Sequence, residues 1–242
     1  MKLLLDLGNT RLKWALWDGA LGPVRAELHQ DRPLDLFLAQ VWPAVEEVWL
    51  AAVPRLADAE GWNAAVLAHC GLLPKFAHSR ADWRGLRSAY AEPQRLGIDR
   101  WLAMVALWQQ GCAPFLVVSG GTALTVDRVA ADGRHLGGII APGYGSTLAS
   151  LLKVTATPGQ PPPSFDPRAL GTSSESAIRQ GALFAALGAV ERCLQLPGVD
   201  PGEQRILTGG DALVLQAHLP GTWSLRPELV LEGLLALAVA AA

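Results

Sequence analysis

Apolar and polar positions alternate in short runs at the start of the chain and then change to helical spacing. Strand candidates at 2–7, 11–17 and 24–29 are separated by Gly8-Asn9 and Asp18-Gly19. Because these residues favour tight turns, the segment predicts an antiparallel meander. A helix over 34–41, a strand over 48–53 and a helix over 57–70 are predicted next. The predicted order is therefore β-β-β-α-β-α.

The same order starts again after a helix predicted over 99–110. Further strands are predicted at 115–119, 123–129, 136–140 and 204–208, and further helices at 144–152, 175–196, from Asp211 and at the terminus. Two halves with one element order indicate an internal duplication. We therefore expect an α/β chain whose halves span 1–111 and 112–242. Five prolines within 155–167 predict an exposed loop between elements of the second half.

Composition narrows the partners of the chain. Apolar residues make up 50% of it and the net charge is -2 with charges scattered, so neither nucleic acid nor a membrane surface is expected to bind. The apolar stretch 229–242 is shorter than about 18 residues and contains Glu232, which predicts a buried helix. Three widely spaced cysteines, an odd number, favour reduced thiols over a disulfide framework. Asp6 interrupts the apolar run before it reaches the length of a signal peptide, so a cytoplasmic protein is expected.

One glycine-containing turn follows the first strand of each half, and the two turns have similar chemistry. In each, an apolar strand runs into a glycine with a hydroxyl residue close behind, and a second strand follows. Backbone N–H groups at such a turn can wrap phosphate oxygens, because glycine has no Cβ. Two such turns predict a nucleoside triphosphate site. The first turn carries Asp6, Leu7, Gly8, Asn9, Thr10, Arg11, Leu12 and Lys13, and the second carries Ser119, Gly121 and Thr122.

The first turn has charged groups that the second lacks. Asp6 at a strand end can hold hydrated Mg²⁺ that bridges phosphates, and Lys13 is a candidate cation for the phosphate tail. The alternative is that Gly8-Asn9-Thr10 is only a polar hairpin, which the repeat and the matched element order disfavour. Gly209-Gly210, after a strand and before a helix, is a weaker candidate for contact with a nucleotide base.

Residues 97–100 are the candidate acceptor segment. Phosphoryl transfer needs an oriented hydroxyl and a carboxylate that receives its proton. Asp99 can take that proton, and the planar fork of Arg100 can bind an acidic acceptor. A simple helix N-cap is the alternative role for Asp99.

Four ordered motifs resemble those of type III pantothenate kinases across nearly the whole chain. They are Asp6-x-Gly8-Asn9-Thr10-x-x-Lys13, Gly97-Ile98-Asp99-Arg100, Gly121-Thr122-Ala123-x-Thr125-x-Asp127 and Gly137-Gly138-x-Ile140-x-Pro142-Gly143. The resemblance implies a duplicated actin/Hsp70/sugar-kinase-like (ribonuclease H-like) fold with two mixed sheets flanked by helices. It also implies a homodimer that uses ATP with Mg²⁺ to phosphorylate the pantothenate 4′-hydroxyl, the first step of coenzyme A synthesis.

The resemblance also implies roles for individual residues. By this resemblance Asp99 is the general base, and the 6–13 turn together with Thr122 forms the ATP site. Tyr90, Gly97, Ile98, Asp99, Arg100 and Ser174 become the pantothenate-binding residues. Two of these have open alternatives, since Tyr90 can be a packing aromatic and Ser174 can cap the helix that follows it.

Ser119 departs from the family pattern. The family commonly has an Asp there that serves a monovalent cation such as potassium or ammonium, and serine carries no charge. We expect the cation requirement to be weakened, or its site to be completed from elsewhere. Two other functions stay open, namely a kinase for a sugar or another small acid, and a catalytically weak nucleotide-binding regulatory protein.

Overall fold

The computed structural model describes residues 1–53, 58–155, 169–197 and 199–240. Apart from Thr155, the predicted proline-rich loop lies outside these residues. The chain divides into two compact units, Met1–Cys112 with Glu228–Ala242, and Ala113–Pro227. The expected boundary near residue 111 separates these units, but the terminal helix belongs to the first unit and not to the second half.

The strands predicted from the alternating pattern are present with small shifts at their ends. The register of the first two strands pairs Asp6 with Lys13 across the turn. In chain order the strands are β1 (Lys2–Leu7), β2 (Arg11–Trp17), β3 (Arg25–Leu28), β4 (Glu47–Ala52), β5 (Lys75–Phe76), β6 (Asp82–Trp83), β7 (Leu86–Arg87), β8 (Phe115–Gly120), β9 (Ala123–Val129), β10 (His135–Pro142), β11 (Gln204–Thr208) and β12 (Ser224–Leu225).

The helices also follow the predicted segments. The helix predicted over 99–110 begins one residue earlier, and the helix predicted from Asp211 is only five residues long. In chain order they are α1 (Pro33–Leu38), α2 (Ala59–Cys70), α3 (Ile98–Gln109), α4 (Tyr144–Val154), α5 (Ser174–Leu194), α6 (Ala212–Gln216) and α7 (Leu229–Ala240).

Each unit contains a five-stranded mixed sheet with the same topology. The first sheet has the order β3-β2-β1-β4-β5 and the second has the order β10-β9-β8-β11-β12. In both, three antiparallel strands are followed by parallel ones, because β1 pairs parallel to β4 and β8 pairs parallel to β11. Matching orders confirm the predicted duplication and both meanders.

Each unit has its own hydrophobic core. Every residue of β1 is buried, and Leu3, Leu5 and Leu7 pack with Phe37 and Trp62 in the first core. Helix α7 packs on α3 within the same unit. A Cβ added to Gly233 on α7 would collide with the Leu102 backbone, so glycine allows the two helices to approach closely. The second core lies among β8, β9, α5 and α6.

Candidate active site

The first turn presents a buried carboxylate. Asp6, near the end of β1, is 8% exposed. Burial raises its pKa from 3.8 to about 7, the positive charge of Lys13 opposes this shift, and the negative charge of Asp99 adds to it. Asp6, Lys13 and Asp99 therefore interact within one unit, although 93 positions separate the two carboxylates in sequence. Such a pair attracts a cation.

Asp99 lies at the start of α3 but does not cap it. The N-cap residue is Gly97, and the helix has no side-chain cap hydrogen bond, so the N-cap interpretation of Asp99 is wrong. A Cβ on Gly97 would lie 2.7 Å from Asp99 Oδ1. The glycine therefore leaves space for the carboxylate beside the helix terminus. Ile98, between them, is buried and so contributes packing.

Arg100 and Tyr90 form a pair next to Asp99. Arg100 is 5% exposed, its Nη1 donates to the Tyr90 hydroxyl oxygen over 2.9 Å, and its guanidinium carbon lies 5.7 Å from the centre of the Tyr90 ring. A buried guanidinium needs partners of this kind. Tyr90 thus orients Arg100, which is more than the packing role that the sequence left open.

The rest of the first turn divides into core and tip residues. Leu7 and Leu12 are fully buried and face each other across β1 and β2, so they belong to the core of the unit. Asn9, Thr10 and Arg11 are exposed at the tip. A Cβ on Gly8 would meet only the Arg11 carbonyl oxygen at 3.6 Å, an ordinary contact. The fold alone therefore does not require glycine there.

His29 also contacts this turn, and sequence reasoning missed it. Its Nε2 lies 3.0 Å from the Gly8 carbonyl oxygen, and the side chain is 3% exposed. Nothing in the sequence around His29 marks it as a site residue, because the histidine stands in no motif. Only the pairing of β2 with β3 brings it to the turn, so no local motif could have revealed it.

The second turn is held by backbone contacts. The Gly121 N–H donates to the Ala123 carbonyl over 3.0 Å, and the Gly143 N–H donates to the Thr122 carbonyl over 3.1 Å. A Cβ on Gly143 would collide with the Gly121 carbonyl. Thr122 itself is exposed at the tip.

Gly209 and Asp211 support the second turn from β11. Gly209 has a φ of 88°, and a Cβ there would collide with the Gly120 backbone. The Asp211 N–H donates to the Gly120 carbonyl over 3.0 Å. Burial raises the pKa of the Asp211 carboxyl, and a hydrogen bond from the Gly145 backbone opposes that shift. This loop therefore closes tightly on the end of β8.

Ser119 and Ser174 occupy different surroundings. Ser119 is paired in register with Thr125 on β9 and Thr208 on β11, so hydroxyl residues flank it on both strands. Ser174 is the exposed first residue of α5. The cap of that helix is Ser173, which forms a capping box with Ser176, so the capping interpretation of Ser174 is wrong.

The described part of the chain has neither a cluster of metal ligands nor a membrane-spanning helix. Its residues contain no group of three or more His, Cys, Asp or Glu side chains arranged for a metal ion. None of the described helices is long and apolar enough to cross a membrane. A magnesium ion bound with a nucleotide requires few protein ligands, so the single carboxylate of Asp6 fits it.

Paired sheets of this topology, with a glycine turn after the first strand of each, define a member of the actin, Hsp70 and sugar-kinase fold class. The chain is similar in fold to the activator of the 2-hydroxyisocaproyl-CoA dehydratase from Clostridium difficile with bound ADPNP, with a TM-score of 0.58, 11% identity, and 99% and 95% of the two chains covered. It is also similar to MreB 5 of Spiroplasma citri bound to AMPPNP, with a TM-score of 0.52, 11% identity, and 99% and 96% covered.

Sequence comparison assigns the family. A family model described as type III pantothenate kinase matches residues 2–195. A type III pantothenate kinase from Nitrosococcus oceani is 34% identical, over 97% of this chain and 92% of that protein. Another from Laribacter hongkongensis is 37% identical, over 98% of each. The chain therefore belongs to the type III pantothenate kinase family.

Proposed function

We propose that this protein transfers the γ-phosphoryl group of ATP to the 4′-hydroxyl of pantothenate, the first step of coenzyme A synthesis. Membership of the family supports this reaction. The observation that carries it in the structure is the start of α3, where Asp99 interacts electrostatically with the buried Asp6 and is followed by the buried Arg100.

Asp99 is the general base of the proposed reaction. Its carboxylate accepts the proton of the 4′-hydroxyl while the hydroxyl oxygen bonds to the γ-phosphorus and the bond from that phosphorus to the β,γ-bridging oxygen breaks, which releases ADP. Arg100, oriented by Tyr90, binds the pantothenate carboxylate. Gly97 and Ile98 shape the backbone of this segment, and Ser174 supplies a further hydroxyl to the substrate.

The 6–13 turn binds the phosphates of ATP, with Thr122 as a second nucleotide contact. Asp6 would hold Mg²⁺, which would neutralise charge on the phosphates when bound, and Lys13 adds a positive charge on the neighbouring strand. The steric freedom around Gly8 supports this role, because the absence of a Cβ there serves a ligand rather than the fold.

The Asp99→Asn variant tests the proposal directly. Asparagine keeps the shape but accepts no proton, so we expect kcat to fall by about 10² to 10⁴-fold with the KM values little changed. The measurement is pantothenate-dependent ADP release by the purified protein. Asp18→Asn, an exposed carboxylate in a different turn, is the matched control and should retain activity.

Other outcomes separate the alternative functions. Equal activity of Asp99→Asn and the unchanged protein would contradict the general-base role. Turnover only with a hexose or acetate in place of pantothenate would identify a different kinase. An unchanged protein that binds ATP but releases no ADP with any acceptor would favour the regulatory alternative.

The protein is further proposed to be a cytoplasmic homodimer with a weakened cation requirement. Cys70, Cys112 and Cys193, all among the described residues, are thiols rather than halves of disulfides, which fits a reducing compartment. Helices α4 and α5 pack together and expose Leu151, Val154 and Phe184, which is apolar material for a contact between subunits. Light scattering coupled to gel filtration would give a dimer mass, and a monomer mass would contradict the pairing.

A further inference from the structure

His29 forms four hydrogen bonds, two to the first turn and two to the residues that follow β3. Its backbone N–H donates to the Thr10 carbonyl over 3.2 Å, and its own carbonyl accepts from the Arg32 N–H over 2.7 Å. On the imidazole ring, Nδ1 accepts from the Asp31 N–H over 3.1 Å, and Nε2 lies 3.0 Å from the Gly8 carbonyl. A single residue thus ties two carbonyl groups of the turn to β3.

These contacts define the tautomer of the ring. Because Nδ1 accepts a hydrogen bond, it carries a lone pair, and the ring hydrogen is on Nε2. Nε2–H therefore donates to the Gly8 carbonyl. A doubly protonated ring would place an N–H group against the Asp31 N–H, so this arrangement requires the neutral ring.

The backbone after His29 is shaped to supply the contact to Nδ1. Gln30 and Asp31 have φ values of 48° and 62°, in the left-handed region that residues with a Cβ seldom adopt. The two residues turn the Asp31 N–H back onto the ring. An uncommon backbone conformation is maintained where it orients the histidine.

The contact with Gly8 also sets the direction of the next N–H group. In a trans peptide the carbonyl and the N–H point to opposite sides, and the Gly8 carbonyl shares its peptide group with the Asn9 N–H. Donation from His29 to the Gly8 oxygen therefore directs the Asn9 N–H away from the histidine. The Asn9 N–H is at the tip of the turn, where backbone N–H groups can bind phosphate oxygens.

We propose that His29 is a positioning residue for nucleotide binding, which sets the Gly8–Asn9 peptide so that the Asn9 N–H meets a phosphate oxygen of ATP. The inference rests on the proposed role of the 6–13 turn in binding ATP. His29 does not touch the nucleotide and takes no part in proton transfer. Its effect is on the affinity for the phosphate chain.

Two replacements of His29 separate the ring nitrogens. Glutamine places an amide N–H near the position of Nε2 and keeps a donor for the Gly8 carbonyl, whereas asparagine reaches only as far as Nδ1 and loses that donor. We expect His29→Ala and His29→Asn to raise the KM for ATP and the Kd for a non-hydrolysable ATP analogue by about tenfold, the equivalent of one lost hydrogen bond. His29→Gln should recover most of this affinity.

The kcat and the KM for pantothenate should change less than twofold in all three variants, because Asp99 and Arg100 are untouched. His69→Ala is the matched control. His69 Nε2 contacts the Leu38 carbonyl at 3.1 Å in the same unit, so this variant removes a histidine contact to a backbone carbonyl at an exposed position away from the turn. Melting temperatures identify any variant that is simply unfolded, and analogue binding is then compared only among folded variants.

A second measurement does not depend on mutation. Nitrogen-15 shifts of the imidazole in the unchanged protein should show the Nε2–H tautomer for His29. The other tautomer, or equal loss of ATP affinity in the glutamine and asparagine variants, would overturn the inference. If the unchanged protein phosphorylates pantothenate and His29→Ala has a normal KM for ATP, only the role of His29 fails. If the unchanged protein binds no ATP, the proposed function fails first.

Discussion

The two phosphate turns share a scaffold but differ in what holds them and in the charge they carry. The first follows β1, has the buried Asp6 at its base, and is tied to the side chain of His29. The second follows β8, has Ser119 at the base, and is tied by the backbone of Gly143. Topology is therefore retained between the units, while the residue at the base of the turn is a buried carboxylate in the first and a serine in the second.

This difference separates two reasons for a glycine. At Gly8 and Gly121 an added Cβ would approach no atom of the described residues, apart from the glycine's own chain neighbours, closer than 3.6 Å, so the fold tolerates a larger residue. At Gly143 it would collide with the backbone of the second turn. The fold therefore accounts for glycine at the flanking position but not at the turn positions, where the proposed binding of phosphate supplies the reason.

The largest effect is expected from replacing the residue at the base of each turn, because only the first of these residues carries a charge. Asp6→Asn should lower kcat/KM for ATP on the order of 100-fold, because a group that stabilises phosphate charge through Mg²⁺ is lost. Ser119→Ala should change it less than about threefold. Steady-state kinetics at saturating pantothenate measure both. Equal losses in the two variants would contradict the division of roles between the turns.

The next largest effect is expected in the pH dependence of the free energy of unfolding, through the raised pKa of Asp6. Its pKa is raised in the folded state from 3.8 to about 7, so the folded protein binds this proton more strongly than the unfolded chain. The contribution is fully present below about pH 4 and is lost as the pH rises to about 7, on the order of 4 kcal/mol in total. Asp6→Asn, which has no such proton, should therefore be more stable than the unchanged protein at pH 8.

Urea unfolding of the ligand-free protein and of Asp6→Asn between about pH 4 and pH 8 would measure this difference. The two free energies of unfolding should diverge as the pH rises. Asp18→Asn should follow the unchanged protein throughout. Parallel curves for Asp6→Asn would show that Asp6 titrates normally in the folded state.

A smaller effect is expected from adding a methyl group near each turn. Gly143→Ala should lower the free energy of unfolding by about 1–3 kcal/mol, because the Gly121 carbonyl must move. Gly8→Ala should leave stability within about 0.5 kcal/mol but weaken ATP binding. Thermal unfolding and calorimetric titration with an ATP analogue distinguish these results. Destabilisation by Gly8→Ala would mean that the fold itself requires this glycine.

The smallest effect concerns the cation. With serine at 119, turnover rates in potassium and in a bulky-cation buffer should be nearly equal. Ser119→Asp adds a carboxylate between Thr125 and Thr208 and should introduce a potassium activation of about twofold to fivefold. Strict potassium activation of the unchanged protein would mean that other residues complete the site.

Much of the scaffold could be predicted from the sequence because its signals are local. Alternating runs and glycine turns located the strands of both meanders, and the repeated order predicted the duplication. The two-residue strands β5, β6, β7 and β12 are too short to produce a period. Terminal helix α7 was assigned to the wrong unit because an apolar helix does not specify its partner.

The site was less predictable where distant residues meet. Recognisable motifs contain Asp6, Asp99 and Arg100. The electrostatic interaction between Asp6 and Asp99, however, arises only when α3 packs near the first sheet. The contact of His29 with Gly8 depends on strand register. Likewise, the sequence had two adjacent serines, and only the backbone geometry shows that Ser173 rather than Ser174 caps α5.

The packing of α7 on α3 has a consequence for synthesis. The unit that contains Asp6 and Asp99 is built from both ends of the chain, and the whole second unit is made in between. During translation α3 therefore lacks its partner helix until residues 229–240 have left the ribosome. A polypeptide stopped before residue 229 would carry every residue of the proposed carboxylate pair, yet leave uncovered the face of α3 where Gly233 meets Leu102.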